Sequence, residues 1–353
     1  MTEGTQNRET RSSYRSIFKA TSLFGGVQVY TILIQIIKSK VIAVLLGPLG
    51  VGVQGLYQSA LDLVKQATSL GLSQSAVRDV AEANGTGDVK QIGRTVTVLR
   101  KLVKLTGLLG LIGVIVFSPL LSTASFGNSE HIIPFIILSI ILLLDQLSAG
   151  QKVVLQGMRR LKDLAKATAI GVTLSLFFSL PLYLFGGIDG IVPAMIITAV
   201  VSLLISWFYS HKIPIEKTSL AAKDFYYEGK SMMKMGISMS LSGVLAMGAG
   251  YMIRSLIRQW GGTEEVGLFQ AGFVIINSYV GLVFNAISTD FYPRLASVNK
   301  DNNKCRDVIS QQGEISVFLL APLLAVCVIA MPLMILTLFR FFYLLTIILS
   351  GLA

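Results

Sequence analysis

Apolar residues along this chain gather into long runs, and each has about the 20 positions that a helix needs to cross a hydrocarbon core. Nine such runs are predicted, at 17–46, 52–77, 98–122, 132–157, 166–186, 188–210, 232–257, 267–290 and 311–335. Polar residues separate them, briefly at alternate connections and at greater length at the others. The pattern predicts an all-α polytopic membrane protein. Composition agrees, with a mean hydropathy of +0.69 and 53% hydrophobic residues.

The placement of charge adds the threading. Of the 30 lysines and arginines, 24 fall in the N-terminal stretch and in every second connection, among them Arg8, Arg78, Lys90, Lys152, Arg159, Lys212 and Lys300. The connections at 47–51, 123–131, near 187 and 259–266 hold none. By the excess of positive charge on cytoplasmic loops, the N-terminus and the basic connections are expected in the cytoplasm, with the short connections facing outward. The formal charge of +11 is therefore read as topology and attraction to anionic membrane lipids, and no nucleic-acid partner is expected. The polar start lacks a small-residue cleavage site, so the first run is read as an uncleaved anchor. Cys305 falls in a cytoplasmic connection and Cys327 inside a run, and the only histidines are His131 and His211. Neither an outer-face disulfide nor a metal site is expected from that set.

An internal repeat organises the runs. Val51-Gly52-Val53-Gln54 opens the second run and Val266-Gly267-Leu268-Phe269 opens the eighth, 215 positions later. The same shift carries Lys19 onto Lys234 and Asp79 onto Arg294, each pair at the inner end of a run. The expected organisation is a cytoplasmic segment at 1–16, a first six-helix bundle at 17–210, a cytoplasmic linker at 211–231 and a second bundle at 232–353. Two such bundles related as repeats would enclose a central pathway. A complete second copy would extend past residue 353, so the second bundle is read as truncated, with three to four helices.

Two stretches carry a family resemblance. The run from Ile42 to Ser59, containing Leu46-Gly47-Pro48-Leu49-Gly50-Val51-Gly52-Val53-Gln54-Gly55, resembles the first helix hairpin of the O-antigen and polysaccharide translocases, lipid-linked oligosaccharide flippases of the MOP superfamily. Ser288-Thr289-Asp290-Phe291-Tyr292-Pro293-Arg294-Leu295 is similar to that family's segment after the eighth helix. The resemblance implies a fold like that of MATE and other MOP transporters. It also implies a substrate: an undecaprenyl-diphosphate-linked oligosaccharide, an O-antigen or related surface polysaccharide unit, carried from the cytoplasmic to the outer leaflet by alternating access. The place implied is the bacterial inner membrane. No cofactor is implied, H+ or Na+ is the candidate coupling ion, and a polysaccharide polymerase with its chain-length machinery are the candidate protein partners.

A diphosphate head group needs cations, so charges inside the runs are the candidate pathway: Lys38, Asp62, Lys65, Asp145, Arg254 and Arg258. Lys38 falls in the outer third of the first run. Asp62 and Lys65, three apart, either neutralise one another or offer an acid and a cation to the pathway. Asp145 is the candidate for proton coupling. Arg254, with no acid three or four residues away, is the candidate phosphate contact. Arg258 shares its face, and either joins it or snorkels to the outer interface. Asp290 and Arg294 are read as a cytoplasmic gate or helix cap. Gly47, Pro48, Gly50, Gly52 and Gly55 predict a tight outer turn that lets the first and second runs approach closely, and Gly25-Gly26 is a candidate bend.

No Gly-rich phosphate loop ending in Lys-Ser/Thr and no nucleophile elbow is present, so an enzyme is not expected. Three other readings stay open at this stage. They are a multidrug and toxin extrusion antiporter of the same superfamily, an inactive truncated remnant, and a membrane polysaccharide polymerase, which would need larger outer loops than these.

Overall fold

A computed structural model describes residues 2–216, 222–297 and parts of 302–325. Among them lie α1 (Thr2–Ser69), α2 (Leu72–Thr86), α3 (Val89–Phe126), α4 (Ile132–Gly157), α5 (Leu161–Gly186), α6 (Ile191–His211) and α7 (Ala222–Ser297). No strand occurs among the described residues. Six stretches of these helices are long and apolar enough to cross a membrane. The protein is an all-α, multi-pass membrane protein.

α1 and α7 each contain two of the predicted runs, parted by a single glycine. Gly47 has φ 64° and ψ −172°, and Gly262 has φ 85° and ψ 179°. Only glycine enters that region at low cost, so each helix breaks there and nowhere else along its described length. The candidate bend at Gly25-Gly26 is a correction: α1 runs through it unbroken and departs from helical torsions at Gly47. The run 52–77 is another, because α1 stops at Ser69. Leu70 and Gly71 both take positive φ, 51° and 62°, and α2 starts afresh. Apolar periodicity hid the stop, since Leu72, Ala76, Val80 and Ala83 continue a buried stripe across it. Asp88 opens α3 by accepting a hydrogen bond from the Lys90 N–H at 2.9 Å, an N-cap that supplies an acceptor for an otherwise orphaned donor.

Contacts divide the chain into two units, 1–270 and 271–353. In the first unit, two apolar cores sit toward opposite ends of the bundle. One gathers Leu56, Leu61, Val114, Phe135, Leu138 and Ile191; the other gathers Leu72, Val80, Leu99, Val103, Val154 and Leu164. Between them α3 presents Thr106, Gly107 and Gly110, and α4 presents Asp145 and Ser148. The helices are thus apolar at both ends of their packing and polar at the middle.

The second segment of α1, with the Leu70-Gly71 link that follows it, approaches α7 backbone to backbone in two places. A side chain at Gly52 would collide with the Thr263 carbonyl, and one at Gly267 with the Pro48 carbonyl. Farther along, Gly71 faces the Gly236 carbonyl and Gly236 faces the Leu70 carbonyl. Glycine is required at both places because no Cβ fits.

Candidate functional site

The polar middle layer is built from four helices. On α1, Asp62 and Lys65 stand 10 and 13 residues past Gly52, about 15–20 Å along the helix. Lys65 Nζ meets Asp145 Oδ2 of α4 at 2.6 Å. The side chains of this ion pair keep 37% and 26% of their surface accessible, so the pair is only partly buried. Gln58 Nε2 donates to Asp62 Oδ1 at 3.0 Å, and Asp62 lies within electrostatic reach of Lys65, Asp145 and Arg254.

From α7, Arg254 is 9% exposed. Its Nε donates to Gln270 Oε1 and its NH1 to the Gly250 carbonyl, both at 2.8 Å, and its guanidinium lies 5.7 Å from the centre of the Phe269 ring. A Cβ on Gly55 would stand 3.3 Å from Gln270 Cγ. The bare surface of α1 at Gly55 therefore makes room for the glutamine that orients the arginine.

On the other side of Asp145, Lys152 of α4 donates to Ser202 Oγ of α6 at 3.3 Å. Ser148 Oγ joins the same group, 3.0 Å from Ser202 Oγ and 3.1 Å from Ser206 Oγ. One turn before Ser202, Thr198 Oγ1 accepts from Lys38 Nζ at 3.2 Å. The result is a polar belt running from Lys38 through Thr198, Ser202, Lys152, Asp145, Lys65 and Asp62 to Arg254. Four cations and two carboxylates lie on it, an excess of two positive charges.

Four of the six pathway candidates, Asp62, Lys65, Asp145 and Arg254, thus gather around Asp62, and Lys38 joins them only by way of Thr198, one turn from Ser202. Arg258 does not. Its guanidinium packs where a side chain on Gly127 would go, beside the C-terminal turn of α3, where a cation complements the helix dipole. Tyr251 Oη lies 2.9 Å from Ser125 Oγ, and Ser255 Oγ donates to the Ala124 carbonyl. Tyr251, Ser255 and Arg258 together fasten one face of α7 to the end of α3. Nearby, Tyr57 Oη is 2.6 Å from His131 Nδ1, and His131 stacks on Phe126 with ring centres 3.7 Å apart. Burial pushes the His131 pKa below its ordinary value, against the pull of Glu130.

Several expectations change. Asp62 and Lys65 do not pair with each other: Lys65 reaches across to Asp145, which is therefore not a lone carboxylate. Lys152, grouped with the loop cations from sequence, sits inside the bundle. Sequence reasoning missed Lys152, Ser202 and Gln270, though the seven-residue spacing of Asp145 and Lys152, two helical turns on one face, was a usable signal. Of the hairpin glycines, Gly52 and Gly55 line a close approach, but to α7 and not between the first two runs: nothing lies within 4 Å of a Cβ on Gly47, and one on Gly50 would meet Leu46 of its own helix. The side chains of Asp290 and Arg294 lie outside the described residues. Among the described residues no group of three or more His, Cys, Asp or Glu could hold a metal.

Comparison with known proteins places this geometry. The polysaccharide biosynthesis protein family matches residues 41–340. No curated protein matches significantly. Among solved structures, an inward-facing multidrug resistance MATE transporter of the MOP superfamily is similar with TM-score 0.66 at 16% identity, over 87% of this chain and 74% of that one. A MOP superfamily transporter from Pyrococcus furiosus, described as having a binding pocket of reverse polarity, is similar with TM-score 0.60 at 16% identity, over 92% and 74%. The MATE multidrug transporter DinF-BH gives TM-score 0.58 at 13% identity, over 86% and 70%. The fold is that of the MOP superfamily transporters.

Proposed function

We propose that this chain, which belongs to the polysaccharide biosynthesis protein family, translocates an undecaprenyl-diphosphate-linked oligosaccharide from the cytoplasmic to the outer leaflet of a bacterial inner membrane. One observation carries the reading: the belt holds two more cations than acids in the middle of the bundle. A diphosphate diester brings two negative charges, which that excess offsets, while its sugars find hydroxyl and amide partners in Ser202, Gln58 and Gln270. The polyprenyl tail can stay in lipid. Transport of an organic cation would be favoured by an excess of acid, the opposite balance. In this reading the basic connections and the N-terminus are cytoplasmic, H+ or Na+ drives the cycle, and polymerase and chain-length proteins take up the product.

The test is complementation of a flippase-deficient strain. Arg254→Ala removes a belt cation and the partner of Gln270, and glycan export should fall at least tenfold, consistent with about 1.5–3 kcal/mol for hydrogen bonds to a charged group, with membrane insertion intact. Full export by Arg254→Ala at matched protein level would overturn the assignment.

A further inference from the structure

We propose that Asp145 exchanges partners, leaving Lys65 for Lys152 when the diphosphate arrives, so that Lys152 is a positioning residue that frees Lys65 to meet substrate; this rests on the flippase reading above. In the structure the two lysines are held unequally. Lys65 carries the ion pair with Asp145 at 2.6 Å. Lys152 has a neutral hydroxyl partner, Ser202, at the longer distance of 3.3 Å, and Asp145 is the acid within its electrostatic reach. Asp145 and Lys152 lie on one face of α4, about 10.5 Å apart along its axis, so the exchange has Lys152 extend back toward the helix N-terminus to bring its ammonium to the carboxylate.

The exchange answers a chemical difficulty. An anion that binds the Lys65 ammonium must compete with Asp145, and a carboxylate left bare within a span is costly. Lys152 removes that cost by offering a second ammonium. The hydroxyl of Ser148, 3.0 Å from Ser202 Oγ, remains to satisfy Ser202 once Lys152 has gone. Lys38 and Arg254 stand at the two far ends of the belt, where Lys38 donates to Thr198 and Arg254 to Gln270 and the Gly250 carbonyl. Asp62, the other acid of the belt, accepts from Gln58 and is not on the α4 face that Lys152 can reach.

Binding of undecaprenyl diphosphate to the full chain in detergent is the first measurement. Lys152→Gln should weaken it about tenfold, the scale of one charged hydrogen bond lost. Adding Asp145→Asn should restore it, because no carboxylate then needs a home, and Lys152→Arg alone should bind as wild type. Asp62→Asn restores the same net charge to Lys152→Gln but must not restore binding. Equal rescue by Asp62→Asn and Asp145→Asn would overturn the exchange in favour of net charge. A second measurement needs no ligand. In thermal unfolding, the coupling between Asp145→Asn and Lys152→Gln should be small in the wild-type background and clearly larger with Lys65→Gln. Unchanged coupling would overturn the exchange, whereas failure of wild type to bind the diphosphate, with the coupling as expected, would overturn the flippase reading alone.

Discussion

Two glycine breaks, at Gly47 and Gly262, have nearly the same backbone torsions and stand 215 residues apart, yet the side chains that follow them differ. After Gly47 the helix continues through Gly52 to Gly55 and Tyr57; after Gly262 the matching positions are Gly267, Gln270 and Gly272. The glycines that permit backbone contact are kept at both breaks. What differs is what each does next: the first leaves space at Gly55 and locks onto His131 through Tyr57, while the second fills that space with Gln270 and thereby aims Arg254 into the belt. Backbone geometry is thus shared and chemistry is divided. One break ends in a fastening, the other in a cation.

The equivalence of the two backbones can be broken most forcefully at the contact glycines. Gly52→Ala and Gly267→Ala each force a Cβ against a carbonyl oxygen of the partner segment. Each should lower stability by about 1–3 kcal/mol, the range for overpacking a close contact, and by similar amounts in thermal unfolding of the detergent-purified protein. A harmless Gly267→Ala beside a damaging Gly52→Ala would end the comparison.

The difference in side chains is sharpened by making the second break imitate the first. Gln270→Gly removes the acceptor of the Arg254 Nε hydrogen bond without touching the backbone contact. Loss of a hydrogen bond to a charged group is worth about 1.5–3 kcal/mol, so glycan export should drop about tenfold or more, and the unfolding temperature should fall too, since a glycine inside the helix adds about 1 kcal/mol. Export at the wild-type level would mean that Gln270 does not position Arg254.

The smallest effect is a pH dependence confined to the first break. Burial depresses the His131 pKa, so the folded chain favours neutral imidazole, and the unfolded chain protonates first near the ordinary value of 6.5. Stability contributed by the Tyr57–His131 contact is therefore full above about 6.5 and is lost as pH falls below it. Unfolding curves at pH 7.5 and 5 should show a modest loss that His131→Phe abolishes. A loss that persists in the variant would place the titrating group elsewhere.

Much of this was legible in the sequence for physical reasons. Long apolar runs specify spans directly, and glycines beside a proline announced a close turn. The 215-residue shift matched Gly52 with Gly267 as equivalent repeat positions, but that the two meet backbone to backbone depends on packing that no sequence offset specifies. The stop at Leu70 was hidden because an amphipathic helix can resume its buried stripe after two residues of left-handed backbone, Leu70 and Gly71. Partners inside the bundle were less accessible. Asp62 and Lys65 sit at pairing distance along the helix, but which acid a lysine takes depends on which helix lies opposite, and Asp145 is 80 residues away in sequence. Lys152 misled because its position near the end of a run resembles that of a loop cation; only the packing of α6 against α4 turns it inward.

The contact between Gly52 and Gly267 is self-complementary: each side supplies a glycine and the carbonyl four residues before it, from Pro48 on one side and Thr263 on the other. Such a surface is what two identical chains present to each other across a twofold axis. A polypeptide the length of one repeat, with a single glycine break, would already own the surface needed to pair with its own copy. Joining the copies through a linker would then convert an encounter between molecules into an intramolecular one, raising their effective concentration without adding a contact. Once joined, the two breaks no longer have to carry the same side chains, and only after fusion could one of them become the seat of Arg254 and the other the anchor of Tyr57.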